Sequence, residues 1–261
     1  MHQLKDRAAA FNGIAARYGR CRPGYPDALR ERIETLSRLA PGAALLEVGV
    51  GAGQATRLFV GRGYRLVGVE PGDRLAEVAR QALPATGEVT IEKATFETWE
   101  PDGRRFALVF SGSAFHWVDP AVGFSKAGDV LEAGGSLALF WNMYPEAEDP
   151  LFPDLQAIYR AHAPQLADRR FAVPMEDQVL EHQRTIEGSG RFADLTVHRF
   201  PWSVEYATAG YLDLLSTYSD HALLDPAVRD RLYAAIAALA DARGGTVVRP
   251  FCTVLFHARK P

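Results

Sequence analysis

Leu45-Leu46-Glu47-Val48-Gly49-Val50-Gly51-Ala52-Gly53-Gln54-Ala55-Thr56 is the stretch whose reading decides the fold. Apolar residues lead into an acid, three glycines alternate, and a helical pattern follows. This order predicts a strand ending at Val48 and a helix beginning near Gln54. Glycine lets the backbone turn sharply and lets a ligand approach where any Cβ would clash. In a βαβ unit such a turn is the nucleotide crevice beyond the carboxyl end of the first strand. Taken alone, the same glycines could simply make a tight turn.

Two details bear on which nucleotide would fit. The spacing is G-x-G-x-G rather than the G-x-G-x-x-G fingerprint of dinucleotide sites. Glu47 also precedes the first glycine by two residues. A carboxylate there repels a pyrophosphate but suits a ligand bearing an ammonium and a sulfonium, because charge-assisted hydrogen bonds are strong. S-adenosylmethionine carries both groups and no phosphate. Downstream, Tyr64-Arg65-Leu66-Val67-Gly68-Val69-Glu70 reads as the next strand, again ending in an acid. Glu70 follows Gly53 by 17 residues, where a carboxylate accepts hydrogen bonds from ribose hydroxyls.

With strand, glycine turn, helix, strand and terminal acid in that order, the chain resembles the class I S-adenosylmethionine-dependent methyltransferases of the broad type 11 kind. The resemblance is closest from about Ala43 to Asn142 and looser over nearly the whole chain. It implies an α/β fold: a Rossmann-like, seven-stranded, doubly wound sheet of order 3-2-1-4-5-7-6 with the last strand antiparallel. An N-terminal helical lid over residues 1–40 and a cap insertion over 145–194 would flank a cofactor-binding core at 41–144. Residues 195–261 would complete the sheet, all within one structural domain.

Length and composition fit this. A chain of 261 residues, 48% hydrophobic and 23% charged, suits one elaborated α/β domain. The net charge of −3 shows no basic surplus for nucleic acid or an anionic membrane. Cys21 and Cys252 form neither a disulfide framework nor a metal spacing, and read as thiols of a reducing compartment. The N-terminus lacks the apolar core of a signal peptide, and no apolar run reaches the ~18 residues of a membrane span. The expectations are a cytoplasmic protein, monomer or homodimer, with no metal, no nucleic-acid partner and no membrane partner.

Along the chain, residues 2–20 carry apolar side chains at helical spacing, and Arg22-Pro23-Gly24-Tyr25-Pro26 makes a rigid turn. Asp27 is placed to cap a helix running to about Leu39. Further helices are predicted at about Gln54–Arg62, Asp73–Leu83 with Asp73 as N-cap, and Pro120–Leu131 started by Asp119-Pro120. Strands are predicted at Val89–Lys93, Phe106–Phe110 and Ser136–Trp141, the last entered through an Ala133-Gly134-Gly135 turn. Beyond Pro145 the pattern changes. A helix is expected at Leu151–Ala161, then irregular chain to about Gly190, a strand at Leu195–Val204, helices at Ala207–Thr217 and Pro226–Ala242, and a last strand at Arg249–Ala258.

The resemblance also assigns site residues. Tyr18 and Arg22 of the lid would lie near the methionine end of the cofactor; otherwise they are a packing tyrosine and a surface arginine. Glu47 would anchor the amino end. Gly49, Gly51, Gly53 and Gln54 would admit the methionine portion, and Glu70 with Pro71 would meet the ribose. The loop after strand 3 would border the adenine. Similar proteins often place an acid there, but this chain has Ala94, so the backbone of Ala94 and Thr95, or Glu97, would substitute. Phe96 either lies on the adenine or plugs the core. Ser111 begins a run of small residues at the exit of strand 4, opposite the transferred methyl. His116 there is a general base, a donor orienting the nucleophile, or a histidine bonded to backbone. Trp117, Asn142, Tyr144 and Tyr218 would be substrate-side residues, Tyr218 within a polar segment at Thr217–His221. Two other readings stay open: an NAD-dependent oxidoreductase, and a non-catalytic nucleotide-binding protein of the same fold.

Overall fold

The computed structural model describes residues 17, 19–83, 87–145, 151–167 and 173–261. Among these, the elements run in the order α1 (Asp27–Ser37), β1 (Ala44–Val48), β2 (Arg65–Val69), α2 (Asp73–Ala82), β3 (Val89–Glu92) and β4 (Phe106–Gly112). Then come α3 (Pro120–Val130), β5 (Leu131–Met143), α4 (Leu151–His162), α5 (Met175–Gly188), β6 (Ala193–Ala207), α6 (Thr208–Ser216), α7 (Ser219–Ala222), α8 (Pro226–Ala242) and β7 (Thr246–Arg259).

The strands form one mixed seven-stranded sheet of order β3-β2-β1-β4-β5-β7-β6, as the resemblance implied. β1 pairs in parallel with β2 on one side and with β4 on the other. The chain therefore reverses its direction of travel across the sheet between β1 and β4, and this is the switch point beyond which ligands bind in open α/β sheets. Strands covered on both faces read as unbroken apolar runs. Phe106, Leu108, Val109 and Phe110 of β4 and Leu45, Leu46 and Val48 of β1 are accordingly buried.

Two compact units divide the chain. The sheet unit comprises Gly24–Asn142, Val179–Phe200 and Thr253–Pro261; the helical unit comprises the chain up to Pro23 with Met143–Gln178 and Pro201–Cys252. The core of the sheet unit gathers Leu29 and Ile33 of α1 with Leu45, Phe59, Phe110 and Phe140. The core of the helical unit gathers Leu151 and Leu155 of α4, Leu214 of α6 and Leu232 and Ile236 of α8.

Several local expectations need correction. Gln54–Arg62 is not an α-helix: one 3-10 turn, Thr56–Leu58, stands among plain turns. A segment this short is marginal as a helix. It also has to deliver the Thr56 hydroxyl to Glu47 and Phe59 to the core, and it ends at Gly61 and Gly63, both at positive φ. Asp73 does not cap α2. Gly72 is the N-cap, while Asp73 sits in the first turn and pairs with Lys93 at 2.5 Å. Likewise Pro26, not Asp27, precedes α1. The Ala133–Gly135 turn lies inside β5: Phe106 pairs with Leu131 and Leu108 with Ser136, so the residues between loop out around Gly134 at φ +70°. Helix α5 was expected to be irregular chain. Its buried residues are only Val179 and Ile186, a stripe too thin to register as a helical period. The expected first helix falls almost wholly outside the described residues.

Candidate functional site

At the carboxyl end of β1 the backbone turns through Gly49, Gly51 and Gly53 at φ +77°, +58° and +86°, conformations that L side chains rarely adopt. At Gly49 a Cβ would also lie 2.4 Å from the Ala114 Cβ. The need for glycine there is thus met within the protein, by the close pass of the chain leaving β4. The Gly51 amide donates to Glu70 Oε2 at 2.8 Å, and the Gly72 amide to Glu70 Oε1 at 2.8 Å. One carboxylate thereby ties the glycine turn to the exit of β2. Each of its oxygens keeps acceptor capacity for a further donor. Burial raises the Glu70 pKa, and the two amides oppose the rise.

Glu47 is fully buried. Thr56 Oγ1 donates to its Oε2 at 2.6 Å, while Oε1 has no hydrogen-bond partner among the described residues. Burial pushes its pKa up to about 8; the Thr56 hydroxyl opposes this and the nearby Glu70 adds to it. A buried carboxyl oxygen with open acceptor capacity, beside a turn free of side chains, fits a cofactor that brings an ammonium group. Gln54 is half-buried at the turn, and Pro71 is exposed just beyond Glu70.

The other cofactor-side candidates are placed differently. Ser111 is fully buried and donates to the Val48 carbonyl at 2.7 Å, fastening β4 to β1. Phe96 plugs the core, with its ring 6.2 Å from those of Phe115 and Trp99. Thr95 pairs with Thr98 in a turn, Ala94 is half-buried, and the Glu97 carboxylate accepts the Asp119 amide at 2.9 Å. Tyr18 lies outside the described residues.

Beyond β4, Ser113 adopts φ +55° and its hydroxyl meets the Tyr25 hydroxyl at 3.1 Å. A Cβ on Gly112 would come within 2.8 Å of that same tyrosine oxygen, so the glycine makes room for Tyr25. His116 Nδ1 accepts the Trp141 indole N–H at 3.1 Å. Indole is only a donor, so the neutral imidazole carries its proton on Nε2. Trp141 in turn stacks on His182, with centroids 4.0 Å apart. The protein around the imidazole and the nearby His182 push the His116 pKa down to about 4. The neutral ring therefore presents an Nε2–H donor. Trp117 is 40% exposed beside it. Asn142 is committed to the fold, donating to the Gly24 carbonyl at 2.9 Å and accepting the Thr253 hydroxyl at 2.6 Å.

Three remaining candidates come together in the helical unit. Arg22 lies 4.2 Å over the Tyr218 ring and donates to the Thr217 carbonyl. The Tyr218 hydroxyl meets that of Tyr144 at 2.9 Å. Sequence reasoning missed Thr56, Tyr25, Trp141, His182 and Arg249. Thr56 bonds across the glycine turn, the partners of the other four lie far away in the chain, and only an arginine in an apolar strand stands out in the sequence. Among the described residues no group of three His, Cys, Asp or Glu is gathered as for a metal, and no helix is long and apolar enough to cross a membrane.

Residues 46–139 match the methyltransferase domain family. An uncharacterized methyltransferase of Mycobacterium tuberculosis is 35% identical over 144 residues, covering 54% of this chain and 56% of that protein. Trans-aconitate 2-methyltransferase of Rhizobium rhizogenes is 35% identical over 98 residues, covering 36% of each chain. The chain thus spans about half the length, or less, of these curated relatives. Among solved structures, a candidate type II methyltransferase from Anaeromyxobacter dehalogenans superposes with a TM-score of 0.61 at 24% identity, covering 92% of this chain and 96% of that one. Phosphoethanolamine N-methyltransferase 2 of Haemonchus contortus, solved with S-adenosyl-L-methionine, gives 0.53 at 18% identity, covering 97% and 56%. The segment around the glycine turn matches a methyltransferase domain, and the sheet built on it has the strand order that the resemblance implied.

Proposed function

We propose that the protein transfers a methyl group from S-adenosylmethionine to a small organic acceptor. The observation that carries this reading is the Glu70 carboxylate, which holds the Gly51 and Gly72 amides and keeps acceptor capacity at the exit of β2, beside the glycine turn. Two adjacent ribose hydroxyls are donors of the kind that capacity suits. Glu47 offers its open Oε1 to the ammonium end. When bound, the cofactor supplies a methyl carbon already activated by a sulfonium leaving group. The protein then has to orient the acceptor and exclude water, and such positioning is worth roughly 7–11 kcal/mol. His116 serves as a hydrogen-bond donor to the acceptor through Nε2, held in that tautomer by Trp141.

Calorimetric titration with S-adenosylhomocysteine tests this. Glu70→Ala should weaken binding by about 10-fold or more, since hydrogen bonds to a charged group contribute about 1.5–3 kcal/mol. Glu70→Gln, which keeps one acceptor, should fall between. Wild-type affinity in Glu70→Ala would remove the assignment.

A further inference from the structure

Arg249 lies in β7 and is 4% exposed. Among the described residues its guanidinium makes no hydrogen bond and no ion pair. It is held between two aromatic faces instead, 4.4 Å from the Tyr144 centroid and 4.8 Å from that of Phe152. Tyr144 is itself fixed through its hydroxyl contact with Tyr218. Stacking on aromatic rings offsets part of the loss of water around a guanidinium but leaves its donors unused. A buried charge without a partner ion is ordinarily removed or paired.

Arg249 forms part of the wall of a cavity of about 30 Å³, together with Gln156, Tyr159, His221 and Asp220. That is room for about two water-sized groups, the size of a carboxylate head. Nearby, the Tyr206 hydroxyl is buried without a hydrogen bond among the described residues, and Arg249 and Arg22 both lie within electrostatic reach of it. His221 is clamped by the Tyr159 and Tyr233 hydroxyls at 3.2 and 3.3 Å and serves the fold. Among the described residues Asp220 is the one acid on this wall. It accepts the His221 amide at 2.9 Å and forms no ion pair with Arg249. With one arginine and one acid on its wall, so small a space favours a singly charged anion over a phosphate.

We propose that Arg249, stacked on Tyr144 and Phe152, is the receptor for the carboxylate of a small organic acid. A planar guanidinium with its rotamer already fixed is suited to a two-point grip on carboxylate oxygens.

Thermal melts of the full chain test this, with sodium acetate, succinate and phenylacetate compared at equal ionic strength with sodium chloride, inorganic phosphate and the matching amides. At least one acid should raise the melting temperature of the wild type while its amide does not. Arg249→Met should lower the apparent affinity for that acid by about 10-fold or more, and Arg249→Lys by less. Arg249→Met without acid should melt at or above the wild type, because it removes an unpaired buried charge. The proposal is overturned if no acid acts beyond chloride, if the amides act equally, if phosphate exceeds every acid, or if Arg249→Met retains the response. S-adenosylhomocysteine is titrated alongside. If it binds and the acids do not, the carboxylate receptor alone falls. If the acids bind and it does not, the methyltransferase reading falls while the anion site stands.

Discussion

Gly49 shows how one position can be determined twice. Its φ of +77° disfavours any side chain, and a Cβ there would lie 2.4 Å from that of Ala114. Gly49→Ala should therefore cost about 1–2 kcal/mol from backbone strain and more from the collision. Denaturant unfolding should show this loss even without cofactor; an unchanged midpoint would mean that the turn adapts. Residues of this kind are readable from sequence, because alternating glycines between a strand and an acid have few other uses. Glu47 and Glu70 were legible for the same reason. The partners that set their chemistry were not. Thr56 looked like a helix residue, and nothing in the local spacing says that its hydroxyl belongs to Glu47. Phe96, Ser111 and Glu97 had the right type and place for a ligand, but a phenyl ring, a hydroxyl and a carboxylate can equally serve packing or a neighbouring backbone group, and here they do.

At the scale of elements, the strands and the start of α3 were the most legible features. Asp119 caps α3 by accepting the Ala121 amide at 2.9 Å, with Pro120 in the first turn. Its own amide is fixed by Glu97, so the cap also closes the loop after β3 onto the helix. Asp119→Ala should cost about 1 kcal/mol, the usual value of an N-cap, while Asp119→Ser should recover most of it. Thermal or denaturant melts check the pair, and equal melts for the two variants would assign the effect to something other than capping. The failures at this scale share a cause. The segment after Gln54 and helix α5 are both set by a few long-range contacts rather than by a full apolar stripe. Periodicity then overstated one element and missed the other.

For the whole molecule, buried titratable groups pull stability in opposite directions with pH. Burial holds His116 and His257 at about 4. In the unfolded chain a histidine takes up a proton near pH ~6.5. Their contribution is therefore complete above that pH and is lost as pH falls through the folded values. Glu92, held low first by its hydrogen bonds from Arg104, adds to the loss on the acid side. Glu47, at about 8, acts the other way. The unfolded chain ionises it near pH ~4.3, so its contribution is complete below that and is lost as pH rises through the folded value. The cofactor-free protein should be most stable near pH ~6–7, with a decline on each side. Unfolding midpoints across that range check this. Glu47→Gln should flatten the alkaline decline and leave the acid one in place; a wild type that gains stability steadily into mild alkali would contradict the assignment. The strand order has a further consequence for how the molecule is made. β7 is the last of the seven strands to be synthesised, yet it lies between β5 and β6. Until it has cleared the ribosome, β5 keeps an open edge and β6 has no neighbour in the sheet. The nascent chain must therefore hold the open edge of β5 and the unpaired β6 during translation, and the sheet can close only by insertion of its final strand.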